Sequence, residues 1–125
     1  MQISLDPGSA SNRILAYGGG FVVVNEARFE TSLIVMPESL VTDWPPSTID
    51  DLSSEHLSIA VNLEPELIVI GTGRDQVFPE TEVLRPIIDG GIGFEIMDTH
   101  AACRTYNILM AEGRIVAAAL LMTNL

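Results

Sequence analysis

The chain has 125 residues, 47% of them hydrophobic, and carries 17 acidic against 6 basic side chains, a formal net charge of −11. That length suits one domain with its own core, and no apolar run reaches the roughly 18 residues that mark a membrane-spanning helix. All six basic residues are arginine; chemistry that needs a lysine, such as a Schiff base or a Walker phosphate loop, is excluded, and so negative a field repels nucleic acid and anionic membrane.

Residues 1–8 contain no basic side chain and no apolar h-region, so neither a secretory signal nor a mitochondrial presequence is expected there. Residues 13–17 and 21–25 are short apolar runs joined by Gly18-Gly19-Gly20, whose permissive backbone suits a tight hairpin. Asn25-Glu26-Ala27 turns the chain into residues 28–36, which alternate at first and then become wholly apolar. Together they read as an antiparallel three-stranded meander. Pro37 ends its third strand, and Thr42-Asp43-Trp44-Pro45-Pro46-Ser47 is a loop, with Trp44 read as a plug on the edge of the core.

Ser47-Thr-Ile-Asp and Ser53-Ser-Glu-His are candidate helix caps, and Leu57, Ile59, Ala60 and Leu63 have helical spacing until Pro65. Leu67-Ile-Val-Ile70 is a continuous buried strand that delivers the turn Gly71-Thr72-Gly73. Residues 81–89 carry Val83, Leu84, Ile87 and Ile88 at helical spacing, with Pro86 inside or kinking the helix. A short apolar strand over residues 94–97 leads to Asp98 or Thr99 as N-cap of a helix closed by Gly113 at C′. Ala102, Tyr106 and Leu109 form its buried stripe, flanked by Ala101, Thr105 and Ile108, and residues 115–122 read as a central strand covered on both faces. Alternation of strand and helix from Glu66 onward predicts a layered α/β fold: one domain over residues 1–125, a twisted mixed sheet flanked by helices, with the N-terminal antiparallel meander extending that sheet or packing on it as an added layer.

Four segments carry a family resemblance: Glu66-Leu-Ile-Val-Ile-Gly-Thr-Gly, Gly91-Ile-Gly-Phe-Glu-Ile-Met-Asp-Thr, Ala101-Ala-Cys-Arg-Thr-Tyr-Asn-Ile-Leu and Glu112-Gly-Arg-Ile-Val-Ala-Ala-Ala-Leu. Over residues 27–121 the chain resembles the mitochondrial respiratory complex I assembly factor 3 family and its uncharacterised bacterial and archaeal relatives. The resemblance implies a three-layer α/β fold with a central mixed sheet, and no established catalytic activity, metal or cofactor. It also implies a protein partner, as mitochondrial members are interaction factors in complex assembly.

Gly71-Thr-Gly-Arg-Asp-Gln76 begins like a dinucleotide fingerprint but has Gln76 where the third glycine belongs. What remains is geometric. Gly71, Thr72 and Gly73 follow one strand, Asp98 and Thr99 follow another, and ligands of open α/β sheets bind at that edge. If the strands are parallel neighbours, the glycine turn faces a helix N-terminus able to hold a small anion, with Arg74 or Arg104 nearby and Asn107 on the same helix as Arg104. The plainer reading is that the glycines permit close packing and Thr99 caps the helix. Arg104 either pairs with a carboxylate or serves this crevice. Asp98, His100 and Cys103 invite a nucleophile reading, against which a lone cysteine among alanines is usually a small buried hydrophobe; as the only cysteine it forms no intramolecular disulfide or multi-cysteine zinc site and suits a reducing compartment.

The expectation is therefore a non-catalytic cytoplasmic protein, bacterial or archaeal, that binds protein or assists complex assembly as a monomer or homodimer. It has no cofactor, no metal, no nucleic-acid partner and no membrane insertion. The alternative is a binding protein or enzyme for a small anion or metabolite, using the crevice between Gly71-Thr72-Gly73 and the Thr99 helix start.

Overall fold

The longest apolar runs become the middle of a sheet in a computed structural model that describes residues 11–122; the reading made for residues 1–8 lies outside the described residues. Strands β1 (Ile14–Gly18), β2 (Phe21–Val24) and β3 (Ala27–Phe29) form the antiparallel meander. The second sheet holds β4 (Leu33–Val35), β5 (Leu40–Val41), β6 (Leu67–Gly71), β7 (Gly93–Met97) and β8 (Val116–Leu120), in the order β5-β4-β8-β6-β7. Both β7 and β8 run parallel to β6, whereas β4 is antiparallel to β8. The fold is mixed α/β, as its runs predict.

Strand β8 lies in the centre and all of its residues are fully buried. Its alternate side chains enter two separate cores. Val116, Ala118 and Leu120 meet helix α3 (Thr99–Ala111) and the meander residues Ile14, Val22 and Val24 on one face. Ala117, Ala119 and Leu121 meet helices α1 (Ser54–Val61) and α2 (Thr81–Asp89), together with Trp44, on the other. Trp44 is buried and donates its indole N–H to the His56 carbonyl at 3.1 Å, so it closes the edge of the second core.

Two local readings change. Residues 28–36 are not one strand: β3 belongs to the meander and β4 to the second sheet. The crossing is fixed at Ser32, whose carbonyl accepts from Trp44 N–H at 2.9 Å and whose hydroxyl accepts from Met122 N–H at 3.1 Å. The shift from alternating to continuous hydrophobicity marks a change from a half-covered sheet to one covered on both sides. On α3 the buried stripe is Thr99, Ala102, Cys103, Tyr106 and Met110, and Ile108 stands 60% exposed.

Helix α3 is closed as its sequence predicts. Gly113 has φ +83°, its N–H bonds Met110 O at 3.0 Å, and Arg114 N–H reaches back to Leu109 O at 3.0 Å. This pair of bonds is a Schellman motif. Helix α2 keeps Pro86 in its interior, and α1 stops at Asn62, three residues before Pro65.

Candidate functional site

The carboxyl ends of β6 and β7 lie side by side, with Gly71 opposite Met97, so the glycine turn meets the start of α3. A Cβ on Gly71 would stand 2.9 Å from both Thr99 Cα and Thr99 Oγ1. Only glycine allows this approach. Asp98 is the N-cap, its Oδ1 accepting from Ala101 N–H at 2.9 Å.

Thr99 has a different task from capping. Its hydroxyl accepts from Gly73 N–H at 2.8 Å and donates to Leu121 C=O at 2.7 Å, while its own N–H donates to Gly73 O at 2.8 Å. One fully buried side chain therefore ties the turn after β6, the start of α3 and the end of β8. Thr72 does the same for the loop: its N–H donates to Met97 O at 2.9 Å, and its hydroxyl donates to the Asp75 carbonyl and accepts from Val77 N–H at 3.2 Å. Gly71, Thr72, Gly73, Asp98 and Thr99 are thus brought together, with Gly71, Thr72, Gly73 and Thr99 buried. The N–H groups of Thr99 and Ala101, which an anion at this helix end would need, are engaged within the chain.

Arg104 and Asn107 face elsewhere, toward the meander. Asn107 accepts from Ile14 N–H at 3.0 Å and donates to Ile14 O at 2.7 Å, as a neighbouring strand would. His100 Nε2 lies 3.0 Å from Gly18 O, which requires the proton on that nitrogen, and its ring stands 4.9 Å from the Tyr17 ring. Arg104 is exposed and donates to the Tyr17 hydroxyl at 3.0 Å; this bond and the electrostatic pull of Tyr17, with a smaller contribution from Asp98, raise the guanidinium's pKa. His100, Arg104 and Asn107 recur at helical spacing and form the polar seam on which β1 lies. No carboxylate forks Arg104 among the described residues.

Burial pushes the Cys103 thiol up to about 12, so it stays protonated and unsuited to nucleophilic attack near neutral pH. Among the described residues no cluster of His, Cys, Asp and Glu can hold a metal ion, and no buried side-chain nitrogen or oxygen lacks a hydrogen-bond partner. A pocket of about 230 Å³ opens between Thr31, Ser32, Asp43, Trp44 and Met122. It is smaller than the roughly 300–1,000 Å³ of ordinary small-molecule sites.

The same edge bears a feature that sequence reading missed. Val77 and Phe78, in the loop between β6 and α2, are 41% and 68% exposed. Two adjacent large apolar side chains outside any periodic segment, followed by Pro79, are the signal that was available. Just before them Gln76 Nε2 donates to Ile96 O at 2.8 Å, which pins the loop across the outer edge of β7.

Similar proteins share this architecture. A Bordetella parapertussis protein of known crystal structure superposes with a TM-score of 0.85 at 46% identity, over 90% of this chain and 97% of that one. A Bordetella pertussis protein described as an Mth938-like domain does so at 0.82 and 38% identity, over 98% and 92%. The bovine NADH dehydrogenase [ubiquinone] 1 alpha subcomplex assembly factor 3 is 36% identical over 108 residues, 85% of this chain but 58% of its own length. The chain therefore spans little more than half of this curated relative. No helix among the described residues is long and apolar enough to cross a membrane. The match of residues 14–121 to one family model, on the same meander, sheet and helices, places the chain in the family described as protein of unknown function DUF498/DUF598.

Proposed function

We propose that the chain is a non-catalytic protein-binding factor that assists assembly of a larger complex, acting in the bacterial or archaeal cytoplasm. The observation that carries this reading is the contrast along one sheet edge. Where ligands of α/β sheets usually sit, the polar groups of Thr72 and Thr99 are bonded within the chain, whereas Val77 and Phe78 beside them are exposed. An apolar pair held on a pinned loop is a feature of a surface that meets another protein. The assembly-factor name of the bovine relative points the same way.

The test is made in the native cell. Deleting the chain is expected to lower the amount of fully assembled NADH dehydrogenase on native gels and to leave a smaller subcomplex, with recovery on re-expression. An unchanged assembly profile together with unchanged NADH oxidation by membranes sinks the assembly role. The small-anion alternative is tested separately, by the response of the wild-type and Arg104→Ala melts to phosphate.

A further inference from the structure

The outer strand of the second sheet, β7, has β6 on one side and no strand on the other among the described residues. Thr72 N–H bonds Met97 O, so Met97 faces β6 and Ile96 faces outward. The bond from Gln76 to Ile96 O confirms that parity. It leaves the N–H and C=O of Phe94 and the N–H of Ile96 directed outward, without a backbone or side-chain partner among the described residues. Exposed strand edges are templates for another strand.

The surroundings of this edge select what can add to it. Val77 and Phe78 stand next to Gln76 and offer apolar contact at its carboxyl end. The charges on β7, on the loop before α2 and in the first half of α2 are Asp75, Glu80, Glu82 and Glu95 against Arg74 and Arg85. Both arginines already face a carboxylate of this chain, Arg74 to Asp75 at 3.8 Å and Arg85 to Glu82 at 2.8 Å. Glu80 and Glu95 have no cation partner among the described residues. A second copy would set like charges face to face on molecules of net charge −11. An anionic lipid surface is repelled for the same reason.

We infer that the β7 edge, with Val77 and Phe78, docks an extended segment of another protein in which apolar and basic residues alternate, as an added strand. This deepens the protein-binding reading and rests on it. Main-chain bonds to Phe94 and Ile96 supply the register, Phe78 receives an apolar side chain, and Glu80 and Glu95 meet the cations. Gln76 covers Ile96 O in the free protein and so limits unwanted pairing at the edge.

The experiment uses the full chain and two acetylated twelve-residue probes, one alternating Val with Arg and one alternating Val with Glu. Binding is read by fluorescence anisotropy of a labelled probe, and the site by amide hydrogen exchange of the protein. The Val/Arg probe is expected to bind and to slow exchange at Phe94 and Ile96 at least fivefold, and the Val/Glu probe to bind at least tenfold more weakly. Phe78→Ser and Glu95→Arg should each weaken the Val/Arg probe about tenfold, while Ile108→Ser, on the outer face of α3, should leave it unchanged. All three positions are exposed, so the variants are expected to fold, and a thermal melt checks this.

Equal binding of both probes, or binding that leaves Phe94 and Ile96 unprotected, overturns the inference. So does a dimer seen by sedimentation that Phe78→Ser dissolves, or Phe78-dependent binding to phosphatidylglycerol vesicles in preference to the probe. If the probe fails while deletion of the chain still impairs complex assembly, the docking mode falls and the assembly reading stands. If the probe behaves as expected while assembly is unaffected, the reverse holds.

Discussion

Thr99 shows how much one side chain can hold. Replacing it by valine keeps the shape and removes the hydroxyl, leaving Gly73 N–H and Leu121 C=O buried without their partner. Orphaned buried groups cost about 1–3 kcal/mol each, so Thr99→Val is expected to lower unfolding stability by about 2–4 kcal/mol, and Thr99→Ser by much less. A denaturant titration with a loss under 1 kcal/mol for Thr99→Val would refute the bridge. Cys103 gives a second residue-level expectation, through pH. Its folded thiol titrates near 12 against an ordinary 9.0, because burial disfavours the thiolate. Between those values the unfolded chain has lost a proton that the folded chain keeps. Stability is therefore fully present below pH 9 and falls as pH rises above it, by up to about 1.4 kcal/mol per pH unit. Urea titrations at pH 8 and pH 10.5 should show this fall in wild type and a visibly smaller one in Cys103→Ala, while equal slopes remove Cys103 as the cause. Tyr106, raised by burial as well, adds to the remainder at the alkaline end.

At the level of elements, the meander is held on α3 by a seam of side chains rather than by the ladder of the second sheet. Asn107 replaces a strand neighbour for Ile14, and Tyr106 donates its hydroxyl to Asn12 O at 2.8 Å. Asn107→Ala should cost about 2 kcal/mol, one ordinary contribution for each of the two bonds, and should speed amide exchange at Ile14 and in β1 before the rest of the molecule opens. Uniform acceleration across both sheets would show that the seam is not a separate unit. This seam was only half legible. The glycine hairpin, the continuous runs of β6 and β8, and Gly113 at C′ announced themselves through local chemistry. Asn107 and Thr99 did not, because their partners lie 93 and 22 residues away along the chain. The split of residues 28–36 between two sheets was visible only as a change of period. Asp98 as the cap and Gly71 as a packing glycine were among the alternatives that local pattern offered, whereas the exposure of Phe78 follows from where a loop crosses an edge, which no window of sequence contains.

Across the whole molecule, charge sets the terms. Arg104 is the exposed guanidinium of the α3 seam, and its bond to Tyr17 is made at the surface, where such contacts contribute little. Arg104→Ala is therefore expected to change stability by no more than about 0.5 kcal/mol. A melt raised by added phosphate in wild type but not in Arg104→Ala would make this position an anion site, and an equal response in both removes it. The wider balance has the same origin. The ion pairs Arg28–Glu30, Arg74–Asp75, Arg85–Glu82 and Arg114–Glu66 all lie at the surface, so they add little against the mutual repulsion of a chain at −11. Raising ionic strength from 0.01 M to 0.15 M shortens the screening length from about 30 Å to about 8 Å. That change weakens distant repulsions more than the short attractions within pairs. Sodium chloride should therefore raise the melting temperature over this range by a few degrees, each 1 kcal/mol corresponding to about 4 °C for a chain of this size. If surface pairs governed stability, the same titration would lower it, and a falling melt would put local pairing above net charge.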